Sequence, residues 1–283
     1  MTRPRVAVFA LLVAACGDRG ATSDAKITLR YHPPAGAVYR YALEQHHTMN
    51  MESGPLAGMG AQQVTLRMHF TQAVTGPVAG GIEVHLTFDS TQMELPGVPP
   101  QMIAAQLERT RGLHSTVLFD ERLQIVRTDG PAPDLSPELA AQMGAGVKAV
   151  AMALPEQPVG RGDSWTVATD LPLGQLPGIA GESASRTTLT VREIRVAAED
   201  TTVLLGVEVT FPGTPVQIDV QGQKATVRLT GGLSGDQLFS LTRGAVVGGT
   251  LKGTMRMNVT GGPLGRQGMT LSSATESTLR LSP

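Results

Sequence analysis

The sequence predicts a mainly β fold of the α+β class. The expected architecture is a curved antiparallel sheet or half-barrel, built from two related halves, with two helices against its concave face. Three observations predict it. Apolar and polar residues alternate over short runs along most of the chain, the period-two signature of strands with one buried face. Turn signals rich in Gly and Pro separate these runs at about 8–12 residues, the rhythm of antiparallel β structure. One long stretch, residues 136–154, instead carries apolar residues at spacings of three and four, which is a helical period.

Composition narrows the interior. Aromatics are 4% and charged residues 17% of the 283 residues. The core must therefore come from Val, Leu, Ala, Ile and Met. Removing residues 1–15 takes away Arg3 and Arg5 and moves the net charge from −1 to −3. A nucleic-acid partner calls for a basic face, so that class is excluded.

Residues 1–15 read as a signal segment: Arg3 and Arg5 are basic, and Val6 to Val13 is apolar but too short to span a membrane. Residues 16–26 are small and polar and read as a flexible tether. The remaining chain, 27–283, reads as one β-rich domain. Ile27 to Tyr31 alternates and predicts the first strand, and Val38 to Met51 a long second one. Val64 to Phe70 and Ile82 to Phe88 predict a hairpin around a loop from Thr75 to Gly81. Gln101 to Arg111 fits a short helix with Ile103 and Leu107 on one side. Thr116 to Arg127 reads as a strand.

The helix over 136–154 has good ends. Ser136 suits the N-cap, Pro137 the first helical position, and Glu138 places negative charge at the positive end of the macrodipole. Leu139, Met143, Val147, Val150 and Leu154 form its apolar stripe. Pro155 and Pro158 stop it, and Gly160 and Gly162 supply a turn. Trp165 and Val167 then alternate with polar neighbours in a strand. A second hairpin follows, Thr188 to Val196 with Val203 to Phe211. Further strands are expected at Val216 to Val220, Ala225 to Leu229, Gln237 to Thr242, Ala245 to Val259 and Met269 to Leu281.

The halves 27–135 and 155–283, joined by the helix, lie over one another. Gly36 and Tyr39 match Gly162 and Trp165, a glycine followed three places on by an aromatic. The two hairpins match, and Leu118-Phe119 matches Leu238-Phe239. The identities are few, and antiparallel hairpins share such patterns in any case.

Two resemblances follow from these residues. Val13-Ala14-Ala15-Cys16 resembles the lipobox of a bacterial lipoprotein signal peptide. It implies cleavage before Cys16 and lipidation of that thiol. The alternative is a plain N-terminal helix with a chance cysteine, but Cys16 is the only cysteine in the chain and sits where the motif needs it. Leu154-Pro155-x-x-Pro158-Val159-x-x-Gly162-Asp163-x-Trp165, with Gly36-x-x-Tyr39-x-Tyr41, resembles a run shared by a family of bacterial envelope lipoproteins to which no reaction is assigned. The strand–helix–strand order is also similar to the periplasmic lipoprotein carriers. That similarity implies a concavity holding an acyl chain or other apolar ligand, and it is one of fold only.

Motifs for chemistry are sparse. His69 and His85 fall on the two arms of the first hairpin and could face each other, but a metal site needs three or four ligands. Met49 with Met51, and Met255 with Met257, place thioethers on one face of a strand, a soft-metal pattern that also suits plain apolar filling. There is no G-x-S-x-G and no P-loop. Neither a cofactor nor a metal is implied, and no catalytic residue is identified.

The expected function is a lipid-anchored extracytoplasmic protein of the cell envelope that binds an apolar small molecule or lipid. Its pocket is expected to be lined by Met143, Val147, Val150, Met68, Phe88 and Trp165. The alternatives are an envelope lipoprotein with a solid core that contacts other proteins, and a hydrolase with a polar cluster in a cleft. Cys16→Ser in the full chain, expressed in a bacterium, is expected to move the protein from the membrane to the soluble fraction. Equal membrane retention of both forms would refute the lipid anchor.

Overall fold

The computed structural model describes residues 21–54, 57–58, 60–99, 101, 104, 107–129, 153–172, 182–220, 223–262 and 268–282. The described residues are mainly β, and thirteen strands form one antiparallel sheet. A first meander runs through β2 (Val38–Ser53), β3 (Gln62–Val78), β4 (Gly81–Glu94), β5 (His114–Phe119) and β6 (Ile125–Asp129). A second runs through β8 (Glu182–Val196), β9 (Thr201–Pro212), β11 (Gln223–Ser240), β12 (Ala245–Gly261) and β13 (Met269–Ser282). β10 (Val216–Val220) continues along the edge of β11 that β9 occupies. β7 (Ser164–Pro172) and β1 (Ala21–Thr22) share the outer edge of β8. The meanders meet where β13 pairs with β2, with Leu281 opposite Tyr41 and Leu279 opposite Leu43.

Alternation gives the sheet two unlike faces. On the outward face of β2 to β4, Arg67 reaches both Glu44 (3.1 Å) and Glu94 (2.6 Å), and Thr71 donates to Asp89 at 2.7 Å. These contacts are solvated and add little to stability. The inward positions of the same strands carry Tyr41, Leu43, Met68, Phe70 and Val74. The larger buried cluster includes Val84 and Val117 from β4 and β5 together with Leu189 and Leu205 from β8 and β9. Those strands come from opposite ends of the sheet order. A smaller cluster, Ile218, Ala225, Val227, Met257 and Val259, sits at the other end of β11 and β12.

One short segment ties the meanders together. Ile27 exchanges two backbone hydrogen bonds with Val159, at 2.9 and 2.8 Å. Tyr31 N–H donates to the Glu121 carbonyl (2.8 Å) in the β5–β6 turn, and His32 N–H to the Gly244 carbonyl (3.2 Å) in the β11–β12 turn. Leu29 and Tyr31 are fully buried between these anchors. Burying one such side chain contributes about 1.5–3 kcal/mol.

The turns matched in the sequence are bonded alike. Ala37 N–H donates to Pro34 and Asp163 N–H to Gly160, each at 3.1 Å. Gly36 and Ala37 exchange backbone bonds with Val74, and Gly162 and Asp163 do so with Val191, all at 2.8–2.9 Å. A register shift follows Val74 in the β3–β4 pair, and another follows Val191 in β8–β9. Gly36 and Gly162 both have positive φ, 76° and 86°, which the turn requires and glycine supplies without strain.

Several expectations need correction. Ile27 to Tyr31 is not a strand: it makes one bridge and then single bonds to turns, because it runs past strand ends instead of beside a strand. Thr116 to Arg127 is two strands, reversed where Asp120 Oδ1 accepts the Arg122 and Gln124 N–H groups at 2.8 Å. The loop expected from Thr75 to Gly81 is mostly strand, with β3 reaching Val78. Ala225 to Leu229 and Gln237 to Ser240 belong to one strand, β11, and Leu241 and Thr242 lie in the turn after it. Its glycines look like a turn but allow close strand approach: a Cβ on Gly235 would collide with the Thr250 carbonyl, and one on Gly253 of β12 with the Gly232 carbonyl. Part of the tether is bound, since Ala21 and Thr22 pair with Val196 and Arg195. Main-chain pairing at a sheet edge needs no apolar side chain, so composition does not reveal it.

The helix expected over 136–154 lies outside the described residues except for Ala153 and Leu154, which are buried and not helical; Leu154 N–H donates to Arg122 O at 2.8 Å. The one over 101–111 is described only in part, ending in a 3-10 turn at Glu108–Thr110.

Gly253→Ala is expected to lower stability by about 1–3 kcal/mol in urea unfolding, because the partner backbone must shift. Gly160→Ala, whose Cβ would meet Lys26 at an ordinary 3.4 Å, should change stability by less than about 0.5 kcal/mol. Equal losses would refute the close-approach account.

Candidate functional site

A cavity of about 150 Å³ lies on the inward face, over the seam between β2 and β13. Its floor crosses both meanders. Leu43 and Leu279 stand opposite each other at the seam, Gly249 flanks Leu279 on β12, and Gln237 on β11 stands opposite Gly249. Tyr31, Phe119 and Leu123 complete the wall from the segment before β2, from β5 and from the β5–β6 turn.

Four of the chain's few aromatics meet here. Tyr41 stacks on Phe70 with ring centres 5.1 Å apart and planes at 20°. Tyr31 meets Phe119 edge-on at 5.3 Å. Such pairs add about 0.5–1.5 kcal/mol beyond the area they bury. Both phenol oxygens are hydrogen-bonded. Tyr41 donates to the Val246 carbonyl at 2.8 Å, and the Tyr31 oxygen accepts from Gln72 Nε2. Burial pushes both phenols far above their ordinary range, and Tyr39, which donates to the Arg243 carbonyl at 2.9 Å, is raised for the same reason. Among the described residues, no lining side chain is charged.

Two features at the cavity run against stability. Gln237 Oε1 is buried, and no donor meets it among the described residues. An unpaired buried acceptor costs about 1–3 kcal/mol. The bare Cα of Gly249 makes room for its stem, since a Cβ there would approach Gln237 Cγ to 2.8 Å. Leu123 is the second: its φ is +59°, a left-handed conformation that a side chain other than glycine rarely adopts. Strain of that kind costs about 1–3 kcal/mol and is held here by the Asp120 turn.

The residues expected to line a pocket fall in different places. Met68 stands opposite the lining residue Leu43, and Phe88 opposite Phe70, but neither borders the cavity. Trp165 packs on the larger cluster, and its indole N–H donates to the Ala153 carbonyl at 2.7 Å. Met143, Val147, Val150 and Cys16 lie outside the described residues. His69 and His85 do not face each other: His69 is opposite Ser90 and His85 opposite Ala73. Each instead bonds a hydroxyl, Ser90 at 3.0 Å and Thr116 at 2.9 Å. The hairpin reverses at Ala79 and Gly80, which sets the two histidines four positions apart along the ladder. The methionine pairs sit on the inward face, with Met49 and Met255 flanking Ser273 from its two sides.

Sequence reasoning missed Tyr31, Tyr41, Gln72 and Gln237. A readable signal existed for the amides. Gln72 falls between Phe70 and Val74, and Gln237 two places before Phe239, both in the inward phase of their strands. A second hollow, beside Arg30 and Arg122, is polar. Its arginines are spoken for by the carbonyls of Leu154, Pro155 and Glu156 and by the Glu156 carboxylate.

No known family's sequence profile matches the chain, and no curated protein does either. Among solved structures, one described as showing lipid–protein interactions in lipovitellin is similar over 88% of this chain at 11% identity, with a TM-score of 0.49. The chain spans 25% of that protein's length. Another is DynF from the dynemicin biosynthesis pathway of Micromonospora chersina, over 97% of this chain and 95% of its own, at 13% identity and a TM-score of 0.24. With TM-scores below 0.5, neither likeness bears on function.

The phenols yield a pH prediction. Their folded values lie above the ordinary 10.0. The folded state therefore holds protons that the unfolded state releases, and stability falls as pH rises above about 10. Absorbance at 295 nm is expected to show the tyrosines ionising together with alkaline unfolding. Free titration near pH 10 with the fold intact would refute their burial.

Proposed function

We propose that this is a lipid-anchored protein of the bacterial cell envelope that binds an apolar small molecule or lipid on the inward face of its sheet. The observation that carries the reading is the cavity walled by Tyr31, Tyr41, Phe70 and Phe119, whose described lining residues are all uncharged. Apolar concavities with few convergent polar groups are the usual form of small-ligand sites. A dry apolar cavity near 150 Å³ accepts a benzene-sized group. Strain at Leu123 falls at the same place, as strain does at ligand clamps.

In this reading the sheet is curved and built from two related halves. The buried cluster that gathers β4, β5, β8 and β9 supports the curvature, as do the glycines of β11 and β12. The matched bonding of the two turns supports the relation between halves. The anchor is Cys16, and membership of the envelope lipoprotein family rests on the run from Leu154 to Trp165. A solid-core interaction protein would have no use for the cavity.

N-phenyl-1-naphthylamine, whose phenyl ring suits the cavity, is expected to bind the purified protein with a rise in fluorescence. Ser277→Phe, which fills the cavity, should weaken binding at least about tenfold, a loss of about 1.4 kcal/mol, with the circular dichroism unchanged. Thr278→Val, on the other face of β13, should leave it unaltered. No binding by the native protein, or full binding by Ser277→Phe, would refute the proposal.

A further inference from the structure

We infer that the cavity selects an uncharged ligand carrying one hydrogen-bond donor, such as an alcohol or phenol head on an apolar body, and that Gln237 Oε1 accepts from it. The inference rests on the apolar-ligand reading and specifies the ligand that reading leaves open. Three observations lead to it. Among the described residues, the lining holds no cation to pair with an anionic head and no carboxylate to pair with a cationic one. An isolated charge moved there would lose its hydration with nothing to replace it. A carboxylate, phosphate or ammonium group is therefore refused.

The second observation is the state of the polar groups that do line the cavity. The Tyr41 hydroxyl donates to Val246, the Tyr31 oxygen accepts from Gln72, and Ser277 on β13 is a half-buried hydroxyl that can both donate and accept. Gln237 Oε1 is the acceptor left without a donor among the described residues. A site that holds a buried unpaired acceptor discriminates strongly for a ligand that supplies the donor. The third is placement. Gln237 occupies an inward position of β11, where alternation calls for an apolar residue, and Gly249 opposite it leaves the space its stem fills. Leucine would occupy a similar volume without the acceptor.

The test compares 1-octanol with its isomer methyl heptyl ether, which has the same atoms but no donor, and with octanoate. Each is used to displace N-phenyl-1-naphthylamine from the native protein and from Gln237→Leu. The native protein is expected to prefer the alcohol over the ether by about five- to tenfold, the worth of one hydrogen bond. Gln237→Leu should lose that preference and still bind the ether. Octanoate should bind the native protein at least about tenfold more weakly than octanol. Gln237→Met serves where the leucine variant does not fold.

Equal displacement by alcohol and ether from the native protein would overturn the inference and leave the apolar-ligand reading standing. So would an alcohol preference that survives in Gln237→Leu, since the acceptor would then be another group. Tight octanoate binding would overturn the charge exclusion. Failure of the naphthylamine probe and of every competitor to bind would remove the apolar-ligand reading itself, and the inference with it.

Discussion

The pairing of β13 with β2 is the contact on which the rest of the structure depends. It joins the last described strand to the first long one, from Thr270 opposite Ser53 to Ser282 opposite Arg40. Each meander is local: its strands pair with their neighbours in sequence, except that β9 reaches past the short β10 to β11. Only this seam makes one sheet of them. It also sets the cavity, whose floor takes Tyr41, Leu43 and Phe70 from the first meander and Gln237, Gly249, Leu251 and Leu279 from the second. The loop closed by the seam is more than two hundred residues long, about the most non-local contact the chain can make. Closing it costs entropy that grows only slowly with length.

The seam alone would leave a two-faced ribbon. What makes a core is the segment from Ile27 to His32. It bonds to the residue before β7's turn, to the β5–β6 turn and to the β11–β12 turn, and drives Leu29 and Tyr31 between them. Backbone bonds give it position and the two side chains give it energy. The resemblance motif has the same structural meaning. Leu154 is buried with its N–H on Arg122, Val159 pairs with Ile27, and Asp163 Oδ2 accepts the Gly160 N–H at 3.0 Å. Trp165 then fixes Ala153 through its indole. The run describes how two crossing segments are clamped, which is why no reaction can be read from it.

Alternation made the long strands legible, because a half-buried antiparallel strand must repeat every two residues. β2, β12 and β13 lie close to where the period places them. Legibility fails where backbone bonding, not side-chain polarity, decides the structure. β1 is held by main-chain pairing alone. The turn at Asp120 depends on one carboxylate and a strained Leu123. The glycines of β11 have two readings, turn or close approach, and only the partner strands distinguish them. The cavity was illegible for another reason: its walls come from residues far apart in sequence, and periodicity assigns a face but not a neighbour. His69 and His85 show the same limit, since the place where the hairpin reverses, and not alternation, sets which residues stand opposite each other.

Gln237 and Leu123 sharpen the meaning of the cavity. An unpaired buried acceptor and a left-handed leucine each cost about 1–3 kcal/mol. Together they approach a sizeable share of the 5–15 kcal/mol that holds a typical domain folded. Other polar groups on the inward face are cheaper, because His47 bonds Thr275 at 3.0 Å and the Tyr41 hydroxyl bonds a carbonyl. A sequence free to optimise stability would replace Gln237 with leucine and let the β5–β6 turn relax. Both costs instead fall on the walls of one hollow, where the aromatics of an aromatic-poor chain also gather. Packing alone gives no reason for that coincidence, whereas a bound donor would satisfy the acceptor and fill the space the strained turn keeps open.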